Sequence, residues 1–573
     1  MQPQVLTRQP PSSAGGGAVA RVAGVLLLLP AAVLTVVTLV VPTVRTVGIS
    51  LRAETFLARG EAEYVGFDNY DAVLGDGVFG PALWFSVSLV LLPIVVAVVV
   101  APLIAAAFDW AGGWARVTAR VVLSLAIVVF APVALSIAWT RALREEPELL
   151  ADLAGGTLRT SVALMTFGVV CAVGLMVFLP AFRARRKLWP TLFTVAGLLV
   201  LGMLAIGLQQ FSVPFVVTRF GPANETMTLP GMLFTTAFGN GRFGEGAAVS
   251  ALLLVLLAVL GVAAVLVVVL TRLRVGVRPW RSPGPRSPVN PGAIVLALLA
   301  LVAVVVVAVL ATGPWFDALG GPDPEVPSGA GGRTWPPALL AALVSVGVAY
   351  LGALGISGLR PLGRHSEWLL MPFAPWLFVG ATPLGIALYT SLRDEGELDD
   401  GTVFPPILVS LVALLVLAVL CRGQAERWQQ QIAAGAPAAA SFFRTVVLPT
   451  LPVAALLFVV TAFLNAQDLF WGMLTAPSVE NGTTPMLLFT AHSTLTGLDY
   501  SVASATPLVA VVLGFVALAA LQALHLDRMT ATVGRPDDPT GPIRLPVQPQ
   551  QTAAGQAWSD PTQPPGQEPP QSG

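Results

Sequence analysis

Charge is scarce in this chain. Only 11% of its 573 residues are Asp, Glu, Lys or Arg, while 55% are hydrophobic. An ordinary soluble domain carries about a quarter charged residues, so the composition is that of a polytopic membrane protein. Lysine is almost absent: Lys187 is the single one, and the other basic residues are arginines. A phosphate-cradling Walker loop needs Gly-Lys-Ser/Thr, and Lys187 is followed by Leu188. The chain is therefore no P-loop ATPase, and any ATP hydrolysis has to come from another polypeptide. Cysteine is limited to Cys171 and Cys421, both in or at the end of apolar runs, where they read as small packing residues and not as a disulfide or metal pair. His365, His492 and His525 are scattered and form no ligand cluster. With 31 basic and 31 acidic residues the net charge is zero, which removes the electrostatic case for nucleic acid. No catalytic, cofactor-binding or metal site is expected.

What the chain has instead is apolar length. Runs long enough to cross about 30 Å of hydrocarbon as helices occur near 22–48, 83–107, 119–140, 159–182, 190–211 and 247–270. Six more follow near 292–313, 337–359, 368–391, 404–421, 450–470 and 503–525. The expected fold is all-α, with about twelve transmembrane helices as two halves of six. The first half covers 21–272 and the second 292–533, joined by an Arg-, Pro- and Ser-rich linker at 273–291. Residues 1–20 and 534–573 are polar, Pro- and Gln-rich, and read as disordered tails. The first apolar run is too long for a cleaved signal peptide and reads as a retained span. Arginines collect beside alternate span ends, at 183–187, 272–286, 360–364, 422–444 and 528. By the positive-inside rule that face is cytosolic, and so are both termini. Leu188-Trp189-Pro190-Thr191-Leu192 and Val447-Leu448-Pro449-Thr450-Leu451 open the fifth and eleventh runs, as an internal duplication would require.

Two polar stretches stand out. Between Arg422 and Pro452 the chain leaves the apolar pattern. Helix formers run from Gln424 to Ile432, Gly435 and Pro437 punctuate, and Phe442, Phe443, Val446 and Val447 lead into Leu448-Pro449. This reads as helix, tight turn, helix outside the membrane. Such a unit can dock in a partner's groove or lie on lipid at the interface. The second stretch is Asn465, Gln467, Asp468 and Trp471. Polar groups within a span line a solute pathway or bond helix to helix. An aromatic beside amide and carboxylate groups suits a sugar. Pro132, Pro372 and Pro375 interrupt two runs, and such breaks often line cavities.

The first stretch resembles the cytosolic loop of permease subunits of binding-protein-dependent ABC importers, the maltose/sugar type. That loop has the pattern Glu-Ala-Ala, three residues, Gly-Ala and then Leu-Pro about a dozen residues later. Gly435-Ala436 and Leu448-Pro449 fit, with one extra residue between them. Gln429, Gln430 and Gln431 stand in place of Glu-Ala-Ala, and Ala434 in place of the usual Asp. Other stretches resemble the same importers in the right order. Tyr64 to Tyr70, Gly221 to Leu229 and Phe243-Gly244 are similar to the first subunit. Asn465 to Trp471, Thr484-Pro485, Asp499-Tyr500 and Arg528 to Ala531 are similar to the second. The resemblance implies two permease subunits fused in one chain of a bacterial cell membrane. It implies separate ABC ATPase subunits that use ATP and dock at the loop. It also implies an extracytoplasmic solute-binding protein that delivers a sugar or similar polar solute.

An ion-coupled twelve-span secondary transporter would want buried charges for coupling, and the runs hold almost none. A membrane enzyme would want paired carboxylates or a metal cluster at one face. The acids at 394–400 have no such company. The halves also differ. The loop at 424–447 has no counterpart in the first half, where only Arg183 to Trp189 separate two runs. That leaves a basic knob, Arg183-Ala184-Arg185-Arg186-Lys187, whose simplest role is to anchor the span. Reporter fusions test the topology: at 140–158 and 392–402 they should read outside, and at 276–290 inside. An outside signal at 276–290 overturns it.

Overall fold

The computed structural model describes residues 14–55, 62–144, 156–183, 187–221, 223–278, 291–317, 329–399, 404–476, 478, 480–493 and 506–534. In hydrocarbon a backbone must satisfy its own amides, so the apolar runs become helices. They are α1 (Ala18–Ser50), α2 (Phe79–Ala111), α3 (Gly113–Val128), α4 (Pro132–Arg144), α5 (Leu158–Phe182), α6 (Leu188–Leu208) and α7 (Phe243–Thr271). The second part of the chain gives α8 (Pro291–Gly313), α9 (Ala330–Leu359), α10 (Gly385–Glu395), α11 (Leu411–Ala433), α12 (Ala438–Ala466) and α13 (Leu508–Arg528). The protein is an all-α polytopic membrane protein. Among the described residues nine helices are long and apolar enough to span, or ten if α3 and α4 are one span bent by 76°.

The shortfall from twelve has two physical causes. The run at 368–391 does not form one helix. It is a 3-10 helix over Gly363–Trp376, an irregular stretch, and then α10. Pro372 and Pro375 lie three apart inside it, each removing a backbone donor. The run at 404–421 is helical only from Leu411. Its helix continues through Arg422, Glu426 and Arg427, so its second half is too charged for lipid. Two tail and linker expectations also shift. Helix already begins at Ala14, inside the expected tail. Residues 274–277, given to the linker by composition, form strand β1 (Arg274–Val277). The remainder of the linker at 279–290 and the tail from 535 lie outside the described residues.

The strand partner is β2 (Met529–Thr532), which follows α13 as β1 follows α7. The two run antiparallel, with Arg274 opposite Thr532 and Val277 opposite Met529. Packing is reciprocal around this pair: β1 lies against α11, and β2 against α5. The same exchange recurs deeper. Helix α8 packs on α2 and α5, while α1 packs on α9; α13 packs on α3, while α7 packs on the 3-10 segment. Within each part α6 meets α2 and α7, as α12 meets α9 and α13. Small residues permit the closest of these contacts, as in other membrane helices. A Cβ on Gly261 of α7 would lie 2.1 Å from the carbonyl oxygen of Ala374.

Side chains complete the strap at this arginine-rich end. Arg274 on β1 pairs with Glu426 on α11 at 2.9 Å, and Arg427 donates to the Val277 carbonyl. On the other side Arg183, just past α5, pairs with Asp527 of α13 and donates to the Met529 carbonyl at 3.1 Å. Arg116 and Arg120 of α3 reach the same carboxylate at 2.9 and 3.5 Å. Gly423 of α11 lets β1 approach, since a Cβ there would stand 2.1 Å from the Val275 carbonyl oxygen. Gly423→Ala should therefore displace β1 and lower stability by about 1–3 kcal/mol, the usual cost of overpacking. Gly48→Ala, where a methyl meets nothing within 4 Å, is the control. Thermal unfolding in detergent checks both, and equal melting temperatures for the two variants refute the close approach.

Candidate functional site

The exposed turn between α11 and α12 is the first candidate. The separate short helix expected at Gln424–Ile432 does not exist: those residues are the end of α11, which runs unbroken to Ala433. It stops in a compact two-bond turn. The Gly435 amide donates to the Ile432 carbonyl at 2.9 Å, and the Ala436 amide to the Gln431 carbonyl at 3.0 Å. This is the Schellman arrangement, which needs a left-handed residue after the last helical one. Gly435 supplies it with φ of 90°. Pro437 then blocks further helix in the same direction, and α12 starts at Ala438, ten residues before Leu448-Pro449.

The arms of this hairpin are tied together. The Trp428 indole donates to the Ala438 carbonyl at 3.0 Å and stands edge-on to Phe442, with ring centroids 4.9 Å apart. The Thr445 hydroxyl donates to the Gln431 side-chain oxygen at 2.6 Å. Tyr350 of α9 reaches the Val447 carbonyl at 3.0 Å and the Thr450 hydroxyl at 2.9 Å, tying the base of the hairpin to the bundle. Gln429, Gln430, Gln431 and Gly435 are exposed, Ala436 is half-buried, Leu448 is exposed and Pro449 half-buried. The result is an exposed tip tied to its stem by side-chain hydrogen bonds.

The basic knob is different in kind. Arg183 is largely buried, with its charge spent on Asp527. Burial draws its guanidinium below the ordinary range, and Asp527 acts the other way. It is a structural tie, not an exposed contact. Ala184, Arg185 and Arg186 lie outside the described residues.

The polar residues at the far end of α12 form the second candidate. Asn465, Asp468 and Trp471 line one cavity of about 30 Å³ with Arg333, Thr334 and Thr483. Gln467 is not among them: its amide nitrogen turns to the Thr506 hydroxyl at 3.0 Å. Asp468 caps the short helix Leu469–Thr475 by accepting from the Trp471 amide at 3.2 Å. The Trp471 indole donates to the Phe404 carbonyl at 2.9 Å. Arg333, Thr334 and Thr483 were not anticipated. The available signal was an arginine at the start of an apolar run, Gly332-Arg333-Thr334. An aromatic cluster beside the second candidate was also missed. Phe211 meets Phe470 edge-on at 5.0 Å, and Phe215 stacks on Phe489 at 4.8 Å. The Arg219 guanidinium lies 4.1 Å from the Phe489 ring centre.

The turn chemistry yields a test. A β-branched residue at Gly435 is forced toward a left-handed backbone that costs about 1–2 kcal/mol for L-residues. Gly435→Val should unravel the end of α11 and open 430–437 to limited proteolysis. An unchanged cleavage pattern counts against the motif.

No protein-family model matches the chain. A 74-residue stretch is 35% identical to part of the sulfoquinovosyl glycerol transport system permease protein SmoG of Agrobacterium fabrum, covering 13% of this chain and 24% of that relative. The chain thus matches about a quarter of the length of this curated relative.

Proposed function

We propose that the chain is the permease component of an ABC importer, with two permease halves fused in one polypeptide. It moves a sugar or similar polar solute, handed over by an extracytoplasmic solute-binding protein and driven by separate ATPase subunits. The observation that carries this reading is the exposed Gly435 hairpin. It joins two helices that run into the bundle, and its sequence resembles the docking loop of such importers. The ATPase contact then falls on Gln429, Gln430, Gln431, Gly435 and Ala436, with Leu448 and Pro449 at the stem. The reciprocal packing of the two parts supports the fused reading: each last span and its strand lie against the other part, as two similar subunits would across a pseudo-twofold axis. The arginine-rich end, with the strap and hairpin, faces the cytosol in this reading. The solute pathway passes Asn465, Asp468 and Trp471, with Gln467 behind them.

The absence of a Walker lysine requires the ATPase to be another chain. Deleting 429–437 should abolish co-purification of the ATPase and import together. Neutralising Arg185, Arg186 and Lys187 should leave both in place. The reverse pattern, with the deletion tolerated and the neutralised variant unbound, overturns the docking assignment. ATP turnover by the purified chain free of any partner overturns the function.

A further inference from the structure

We propose that Arg333 makes the cavity at the end of α12 an oxyanion site, selecting solutes that carry a single carboxylate or sulfonate group. This deepens the importer reading and rests on it for the solute's role. The cavity is lined by the first turns of α9 (Arg333, Thr334), by Asn465, by Asp468 and Trp471, and by Thr483. Its donors divide into spent and unspent. Thr334 donates to the Ala330 carbonyl at 2.8 Å and accepts from the Thr484 amide at 2.9 Å. The Asn465 amide donates to the Ala338 carbonyl at 3.4 Å, and the Trp471 indole is taken by Phe404. Nε and Nη2 of Arg333 are buried without an acceptor, and the Thr483 hydroxyl has no partner either.

The pair left over on Arg333 is informative. Nε and Nη2 form the side-on edge of the guanidinium, two parallel donors that match the two oxygens of an oxyanion. Buried donors in folded proteins are almost always satisfied, and an unsatisfied pair calls for an explanation. Asp468 does not provide one: it lies in the same cavity but forms no ion pair with Arg333, and its Oδ1 accepts from the Trp471 amide. Gly472 preserves the space, since a Cβ there would stand 2.6 Å from Thr483 Oγ1. The cavity holds about 30 Å³, above the ~10–15 Å³ that a single water needs, which leaves room for the charged head of a solute and not for its body. One guanidinium edge balances one negative charge, which favours a monoanion over a phosphate dianion.

The same chemistry is offered by the phosphate of a lipid headgroup, and the experiment separates the two. The purified full chain is titrated with galacturonate and with galactose, its neutral twin, by calorimetry. Native mass spectrometry of the same samples scores retained phosphatidylglycerol. The expected result is galacturonate binding that weakens about tenfold or more in Arg333→Gln, the loss of one charged hydrogen-bonding pair. Arg333→Lys should recover part of it, and galactose should be indifferent to all changes. Thr483→Ala, a smaller perturbation that keeps the fold if Arg333→Gln does not, should weaken galacturonate alone. Equal galacturonate binding across the variants overturns the proposal. So does phosphatidylglycerol that is retained by the parent chain, lost from Arg333→Gln and unaffected by galacturonate, because the anion is then a lipid. No ATPase is needed for this measurement, so its failure leaves the importer reading standing. If instead no ATPase binds the chain, the anion titration still reads out.

Discussion

A backbone amide left unpaired in hydrocarbon costs several kcal/mol, and this chain breaks two of its apolar runs. The rest of the bundle is arranged around making those breaks tolerable. Between α3 and α4 the break falls just before Pro132, which has no amide hydrogen to lose. The 3-10 helix after Gly363 ends at Trp376, and backbone groups of the irregular stretch that follows are met from another helix. The side chain of Gln209, at the end of α6, donates to the Phe378 carbonyl and accepts from the Gly380 amide, both at 2.8 Å. One glutamine thus does for Phe378 and Gly380 what a continuous helix would have done. The break and the helix that repairs it come from different parts of the chain, so neither part is complete alone.

That interdependence reappears at the arginine-rich end. The carboxylate of Asp527 faces three guanidiniums, those of Arg116, Arg120 and Arg183. Glu426 holds Arg274 on the other side. Each pair joins one part to the end of the last span of the other, or to the strand after it. Replacing Asp527 would leave buried guanidiniums uncompensated, the kind of loss that costs far more than an exposed ion pair. The strap is short, two strands of four residues, and would be marginal in isolation. It persists because Gly423 lets β1 sit on α11 and because arginines on both sides bond its carbonyls.

The sequence made the fold class legible, because long apolar runs have few other solutions. It did not make the span count legible. Apolar composition at 368–391 says nothing of whether Pro372 and Pro375 kink a helix or replace it. At 404–421 the helix starts late and continues into charge. The turn at Gly435 was readable, since Gly followed by Ala and Pro is a stop signal with a mechanism. Its flanking helix is continuous with the apolar run before it, because nothing between Cys421 and Ala433 stops a helix; a change of polarity there is not a change of structure. Of the polar set near 465, the structure gathers Asn465, Asp468 and Trp471 and turns Gln467 away, because α12 ends at Ala466 and a new short helix starts after Asp468. Arg333 and Thr483 come from 130 residues upstream and from a later loop, and such a meeting is tertiary information.

The two candidate regions are connected by one element. Helix α12 begins at Ala438, beside the Gly435 turn, and ends at Ala466, in the lining of the Arg333 cavity. Its 29 residues span on the order of 40 Å at about 1.5 Å per residue. Trp428, Thr445 and Tyr350 tie the turn to its stem and the stem to α9. Helix α9 carries Arg333 at its other end. In the importer reading both walls of the solute cavity are therefore the far ends of helices held at the docking face. A push there alters the distance between Arg333 and the Asn465–Asp468 segment without needing a relay of side chains. The cavity is small in this conformation, so a change in the angle between α9 and α12 is the motion that would admit more of the solute than its charged head.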